Sequence, residues 1–286
     1  MAEILKGRLL AEQIREKTRK NIEKLDQPPG LAAILVGDDP ASHLYVNLKE
    51  QAAKEVGIYF EKFLYPADVD QKEVIKQIKK LNLRDDINGI LVQFPLPSQD
   101  EDAVVAVIDP DKDVDGFHPE SRKRLHEGEP GLVPPVSLAI MKLIEASLQP
   151  LREKSAVIVA NNKIFAEPLI EIMKAADIIA DFLQPDASAL GAKIRAADII
   201  VVAVGHEDFI TKEVVKEGAI VIDVGTNKKD GRTVGDVTAD VQDVAGFISP
   251  VPGGVGPLTV AFLIKNVFLA AELQAEQRSD RAKDKN

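Results

Sequence analysis

Short, wholly apolar runs alternate with amphipathic stretches along most of this chain. Residues 3–26 place Ile4, Leu5, Leu9, Leu10, Ile14, Ile22 and Leu25 at roughly helical spacing among charges, which predicts a helix ended by Pro28-Pro29-Gly30. Residues 31–36 are apolar throughout, as expected of a strand buried on both faces of a parallel sheet. A turn at residues 37–40 leads into a helix that Ser42 is placed to cap and that runs to about Gly57. A strand over 59–65, an amphipathic helix over 71–81 and a strand from Gly89 follow. After Val133-Pro134-Pro135, which reads as a hinge, the same rhythm resumes. Helices are expected over 137–149, 168–176, 187–196 and 212–216, and buried strands over 155–160, 178–182, 199–204 and 219–224. Alternation of this length implies an α/β protein with a doubly wound parallel sheet of the nucleotide-binding kind.

Three segments break the rhythm. Ser42-His43-Leu44-Tyr45-Val46-Asn47-Leu48-Lys49, read as helix, puts Tyr45 and Lys49 on one face with Ser42 a turn earlier. A phenol and an ammonium then share one space, and burial of the lysine would bring it into the range of proton transfer. The plain alternative is a surface lysine beside a half-buried tyrosine. Gln93 ends an otherwise apolar strand, where a parallel sheet faces its ligand crevice; it is poised to bond a substrate or catalytic group, or to satisfy a loop. Residues 109–118 are acidic and turn-rich. They lack calcium-loop spacing, and Asp115-Gly116-Phe117 would instead offer a carboxylate beside a ring to a flat heterocycle with N–H donors. Finally, Ser249-Pro250-Val251-Pro252-Gly253-Gly254-Val255-Gly256-Pro257-Leu258-Thr259 reads as a rigid loop, with Thr259 opening a last apolar helix to Leu273. The charged stretch 274–286 reads as a disordered tail.

Composition narrows the field. The chain has 286 residues, 45% of them apolar, enough for one large or two modest domains. No cysteine is present, so disulfides and thiolate metal sites are excluded. The four histidines (43, 118, 126 and 206) lack metal-ligand spacing, and no metal is expected. A formal net charge of −10 argues against a general nucleic-acid binder. No apolar run approaches the ~18–20 residues of a membrane span, and no signal peptide is read at the start, so a cytoplasmic protein without a membrane partner is expected.

Taken together, several long motifs resemble the bifunctional methylenetetrahydrofolate dehydrogenase / methenyltetrahydrofolate cyclohydrolase family. They are Val36-Gly37-Asp38-Asp39-Pro40-Ala41-Ser42 with Tyr45, Val46 and Lys49; Gly89 to Pro97; Lys112-Asp113-Val114-Asp115-Gly116-Phe117-His118-Pro119; Ala203-Val204-Gly205; Val221 to Gly225 with Asn227; Gly235-Asp236-Val237; and Pro250 to Pro257 with Thr259. The resemblance implies two lobes with the active site in a cleft. The catalytic, folate-binding lobe would be 1–136, completed by a helix over 259–273, and a Rossmann-like NAD(P) lobe would span 137–258. It also implies oxidation of 5,10-methylenetetrahydrofolate and hydrolysis of the product to 10-formyltetrahydrofolate, by a cytoplasmic homodimer. Lys49 would be the catalytic lysine, Tyr45 would stack on the folate, Gln93 would tune the lysine and Asp115 would grip the pterin. Ser42, Gly116, Pro252, Gly253, Gly254, Val255, Gly256 and Pro257 would line the folate site. The cofactor would be NADP, with NAD possible, held near Ala160, Asn161, Asn162, Lys163, Val204, Gly205 and Thr226.

The cofactor half departs from the family's pattern. Where the family has Gly-Arg-Ser-x-x-Val-Gly-x-Pro, this chain reads Ala160-Asn161-Asn162-Lys163-Ile164-Phe165-Ala166-Glu167-Pro168; its His-Ser-x-Thr appears as Gln184-Pro185-Asp186-Ala187, and its Pro-Cys-Thr-Pro as Pro134-Pro135-Val136-Ser137. Glycine there lets backbone approach a pyrophosphate, and arginine suits a phosphate. Three readings follow: a bifunctional enzyme with altered cofactor contacts, a cyclohydrolase with weak or lost dehydrogenase activity, or a non-catalytic folate-binding paralogue.

Overall fold

The computed structural model describes residues 1–283. The chain opens with β1 (Glu3–Ile4) and α1 (Gly7–Ile22), then runs β2 (Gly30–Val36), α2 (Pro40–Glu55), β3 (Tyr59–Tyr65), α3 (Gln71–Asn82), β4 (Gly89–Val92), α4 (Glu101–Val105) and α5 (Pro119–Glu127). It continues with α6 (Pro135–Ala146), β5 (Ser155–Ala160), α7 (Lys163–Ala175), β6 (Ile179–Leu183), α8 (Leu190–Ala196), β7 (Ile199–Ala203), β8 (Ile220–Asp223), a hairpin of β9 (Asn227–Lys229) and β10 (Arg232–Val234), β11 (Phe247–Ile248) and α9 (Val255–Lys283). Two compact units result. One comprises Met1–Ala11 and Val136–Thr259; the other comprises Glu12–Pro135 and the chain from Val260.

The second of these units is built on a parallel three-stranded sheet in the order β3-β2-β4. All seven residues of β2 are buried, because helices cover both faces of the central strand. One core joins Leu31, Ala33 and Leu35 to Val46 and Ala53 of α2 and to Leu263, Ile264, Val267 and Phe268 of α9. The opposite face packs Ala32, Ile34 and Val36 against Val74, Ile78 and Leu81 of α3. By length and composition α9 could cross a membrane, contrary to the expectation that no segment would. Its buried apolar residues instead make it the core helix of this unit. A clip of amides fixes it further along: Gln274 Nε2 donates to the carbonyls of Asn88 and Asp111 at 2.9 Å each, and Asn88 Nδ2 donates back to Gln274 Oε1 at 3.1 Å.

The other unit is a six-stranded sheet in the order β1-β11-β8-β7-β5-β6, parallel at every pairing. Strand order reverses direction between β5 and β7, which defines a switch point at the carboxyl ends of those strands.

Several expectations differ from these elements. Residues 3–4 are a strand rather than the start of a helix, because their backbone pairs with β11. Residues 1–11 accordingly belong to the six-stranded unit and not to the lobe expected over 1–136. Helix α7 starts at Lys163 instead of Pro168, which lies inside it. Helix α9 starts at Val255, four residues before Thr259: Gly256 and Pro257 fall in the first turn, where the missing proline N–H has no intrahelical partner to lose. Residues 274–283, expected as a disordered tail, continue that helix; residues 284–286 of the same expectation lie outside the described residues. The stretch at 212–216 is only a short 3₁₀ turn, Lys212–Val214. The helix read at 187–196 begins at Leu190.

Candidate functional site

Asp39, not Ser42, caps α2: its Oδ2 accepts from the Ser42 N–H at 2.7 Å and from Ser42 Oγ at 2.8 Å. Pro40 opens the helix, with its fixed φ and missing donor suited to that place. Ser42 is buried, and the capped turn sets the helical phase for Tyr45 and Lys49, one turn apart and both half-buried.

Lys49 reaches the end of β4. Its Nζ donates to Gln93 Oε1 at 2.9 Å. Gln93 is held in turn: its backbone N–H donates to the Ile34 carbonyl at 2.9 Å and its Nε2 to the Phe94 carbonyl at 2.7 Å. An amide oxygen aimed at an ammonium supports the charge without neutralising it. Burial holds the Lys49 ammonium below the ordinary lysine range, and the negative charge of Asp115 opposes that shift. The same setting acts on Asp115. Burial pushes its carboxyl up, Lys49 pulls it down and Asp113 pushes it up again. Lys49 and Asp115 thus form one electrostatic unit of a group that gives up a proton easily and a group that holds one.

The loop carrying Asp115 is organised by a residue that sequence reasoning passed over. Asp113 is 1% exposed. Its carboxylate accepts from the N–H of Gly116 at 3.1 Å, the N–H of His118 at 2.8 Å and Ser121 Oγ at 2.8 Å. Gly116 has φ +72°, and a Cβ there would strike the backbone of Pro134. Asn266 of α9 donates from Nδ2 to the Val114 and Val133 carbonyls, both at 2.9 Å. Lys112, also in this motif, is buried and donates to the Leu81 carbonyl in the last turn of α3 and to the Arg84 carbonyl just beyond it. His118 caps α5 through Nδ1.

The residues expected on the dinucleotide lie in the six-stranded unit at the carboxyl ends of β5, β7 and β8. Ala160 is buried at the end of β5. Asn161 Nδ2 donates to the Val204 carbonyl at 3.0 Å, joining the turns after β5 and β7. Asn162 caps α7 by accepting from the Phe165 N–H, and Lys163 is exposed at its first residue. Gly205 has φ +69° with open space where a Cβ would point, and Thr226 is exposed. Beneath them sit two buried carboxylates that sequence reasoning also missed. Asp236 accepts from the N–H groups of Val204 (2.7 Å), Gly205 (3.0 Å) and His206 (2.9 Å) and from Asn227 Nδ2 (2.8 Å). Asp223 accepts from the N–H groups of Gly225 (3.0 Å), Asp236 (3.0 Å) and Val237 (3.1 Å). A Cβ on Gly225 would collide with the Asp236 carboxylate, and one on Gly235 with that of Asp223. The paired Asp-x-Gly and Gly-Asp spacings were the signal available in the sequence.

The Pro-Gly-Gly segment lies in this same unit. Gly7 N–H donates to the Gly253 carbonyl at 2.9 Å, and a Cβ on Gly7 would collide with the Gly254 carbonyl. Gly254 N–H donates to the Pro250 carbonyl at 2.8 Å, while Pro252 precedes and Val255, Gly256 and Pro257 begin α9. The structure therefore brings Tyr45, Lys49, Gln93, Asp115 and Gly116 together in one unit, and Pro252 to Pro257 with the dinucleotide residues in the other.

These features test whether a nicotinamide dinucleotide fits. The switch point, the α7 N-terminus and the open backbone at Gly205 suit it. The side chain of Ala160 and the absence of an arginine between 160 and 163 depart from a tight phosphate cradle.

A parallel sheet with this switch point in one unit, and a desolvated lysine held by an amide in a separate α/β unit, define a two-unit α/β enzyme of the dinucleotide-binding class. Comparison with known proteins agrees. Residues 5–115 match the catalytic domain of tetrahydrofolate dehydrogenase/cyclohydrolase, and residues 134–275 match the NAD(P)-binding domain of that family. The bifunctional protein FolD of Nautilia profundicola is 41% identical over 96% of this chain and 99% of its own length; that of Enterococcus faecalis is 40% identical over 96% and 100%. The crystal structure of the FolD dehydrogenase/cyclohydrolase from Campylobacter jejuni superposes with a TM-score of 0.91 at 36% identity, covering 96% of this chain and 100% of the other. The Trypanosoma brucei enzyme, solved with NADP and an inhibitor, gives 0.90 at 32% identity over 96% and 98%. The chain belongs to the tetrahydrofolate dehydrogenase/cyclohydrolase family.

Proposed function

We propose that this protein oxidises 5,10-methylenetetrahydrofolate to 5,10-methenyltetrahydrofolate with a nicotinamide dinucleotide and hydrolyses the product to 10-formyltetrahydrofolate. The observation that carries the reading is the 2.9 Å hydrogen bond from a desolvated Lys49 to Gln93, with Asp115 in electrostatic contact. Bound at the switch point, the nicotinamide would accept the hydride. Hydrolysis then needs a group that moves a proton as water adds to the methenyl carbon. Lys49 serves, because burial lowers its affinity for a proton and a cationic substrate lowers it further. Gln93 fixes the position of the amine, Tyr45 stacks on the folate, and Asp115 accepts from the pterin N–H groups. Ser42 supports the turn beneath Tyr45, Gly116 lets the Asp115 loop pass Pro134, and residues 252–257 line the folate. Of the two cofactor forms, NADP is the one the resemblance favours. The protein works as a cytoplasmic homodimer with folate as its partner, and its net charge of −10 disfavours nucleic acid. A band at monomer mass in sedimentation would remove the dimer from this reading.

Lys49→Met tests the core of it. Methenyltetrahydrofolate hydrolysis, followed by loss of its absorbance, falls by about 10²-fold or more, as expected when a general acid–base group is removed. Folate binding persists. Hydrolysis at the parent rate would take the lysine out of the mechanism. The departures at residues 160–163 favour one second reading, a cyclohydrolase without dehydrogenase activity. It would show as hydrolysis with no reduction of either dinucleotide.

A further inference from the structure

We propose that the dinucleotide this chain prefers is NAD, and that Asp186, Gln184 and Asn161 make the choice. The proposal rests on the dehydrogenase reading and names the residues that select the cofactor.

In a sheet ordered β6-β5-β7, β5 is the first strand of the nucleotide fold and β6 the second. The turn after the second strand meets the adenosine ribose. A carboxylate there accepts from the ribose hydroxyls, whereas an arginine accommodates a 2′-phosphate. Here that turn reads Gln184-Pro185-Asp186, with Asp186 exposed at its end. The turn after β5 lies beside it. Gln184 Nε2 donates to the Asn161 carbonyl at 3.4 Å, and Asn161 Nδ2 donates on to the Val204 carbonyl at 3.0 Å. Two neutral amides thus knit the ends of β6, β5 and β7 together, spanning the positions where a guanidinium would have to stand.

Charge points the same way. Residues 160–163 and 184–188 contain one cation, Lys163, and one anion, Asp186. Glu167 follows Lys163 by four residues on α7, so the lysine shares a helical face with a carboxylate. Lys193, on the next helix, is paired with Asp181 at 2.7 Å. A dianionic 2′-phosphate would meet a region with no net positive charge and one unpaired-for-phosphate carboxylate. A ribose diol finds an acceptor in Asp186 and an amide in Gln184, which is the pattern that admits one cofactor and repels the other.

Calorimetric titration of the full chain with NAD and with NADP measures the preference directly, beside steady-state oxidation of methylenetetrahydrofolate with each. NAD binds at least about tenfold tighter and gives the higher kcat/KM. The double variant Asn161→Arg, Asp186→Ser moves the binding ratio toward NADP by about tenfold or more, through a bidentate donor gained and a like charge lost. Circular dichroism confirms that the variant is folded. Equal or tighter NADP binding by the parent, with hydride transfer to it, overturns the NAD assignment and leaves the dehydrogenase reading standing. A folded double variant with an unchanged ratio overturns the role of these residues. Binding of neither dinucleotide at millimolar concentration, with hydrolysis intact, overturns the dehydrogenase reading and this proposal with it.

Discussion

The two units solve one problem with buried carboxylates and reach opposite results. In the catalytic unit, Asp113 takes up the donors of its loop, two N–H groups and the Ser121 hydroxyl. That leaves Asp115, two residues on, without structural duty and available to a substrate. In the six-stranded unit, Asp223 and Asp236 between them accept from six backbone N–H groups and Asn227. Neither of these two carboxylates is spare, and the N–H groups of residues 204–206 are already spent. Recognition beside Lys49 can therefore use a buried charged side chain, whereas at the switch point it falls to exposed groups, the amides of Asn161 and Gln184 and the carboxylate of Asp186.

The largest expected effect tests the second half of that contrast. Asp236→Ala removes a fully buried acceptor and strands three backbone N–H groups, while Asn227 Nδ2 keeps the Gly235 carbonyl at 3.0 Å. With roughly 1–3 kcal/mol lost per orphaned buried donor, partly recovered by relaxation, destabilisation of about 4 kcal/mol or more is expected. Urea denaturation monitored by circular dichroism measures it. A loss below about 1 kcal/mol would mean that those amides find water readily, and that the carboxylate is not what holds the turn.

Asp113→Ala sharpens the first half. Three donors lose their acceptor, but Gly116 N–H keeps a second one, the Asp113 carbonyl at 3.2 Å. About 2–3 kcal/mol of stability should be lost. Hydrolysis should fall through a raised KM, since the loop no longer presents Asp115 in one position. If KM stays put while stability drops, the brace is purely structural.

How far each unit was legible in the sequence follows from the same chemistry. The strands β2 and β4 announced themselves because burial on both faces leaves no polar positions. Lys49 and Gln93 were legible as a pair only through the family's motifs, since 44 residues separate them and no periodicity joins them. The bracing carboxylates were legible only through the glycine spacings around Asp223 and Asp236, and Asp113 not at all. Asp113 lies in a run of acids that reads as a solvated turn, and Asp223 ends an apolar strand where an exposed acid is ordinary. Asp113 takes its donors from residues 116–121, just after it in the chain, and Asp223 from Gly225, Asp236 and Val237, and neither closure leaves a periodic pattern in the sequence. Likewise β1 carries helix-like spacing at Ile4 and Leu5, and only the backbone of β11 makes it a strand. Helix α9 hid its first turn behind Gly256 and Pro257, residues that break helices everywhere except there.

The smallest expected effect is a pH dependence, and its sign distinguishes the two units' carboxylates from ordinary paired ones. Burial pushes the Asp223 carboxyl from 3.8 up to about 6, with the neighbouring charge of Asp236 adding to the rise and the backbone N–H bonds opposing it. A raised folded-state value means the native protein holds its proton more tightly than the unfolded chain. This group's contribution is therefore most favourable below about pH 4 and is lost as pH rises through about 6. Between pH 5 and pH 7 it should cost the folded state about 1 kcal/mol. Surface acids such as Asp198, held down to about 2 by Lys216, stay ionised throughout that window and do not contribute to it. Thermal midpoints of the parent and of Asp223→Asn, taken at both pH values, isolate the effect. The parent loses more on going to pH 7 than the variant does. Parallel shifts would show that Asp223 is ionised throughout, with its three N–H donors outweighing burial.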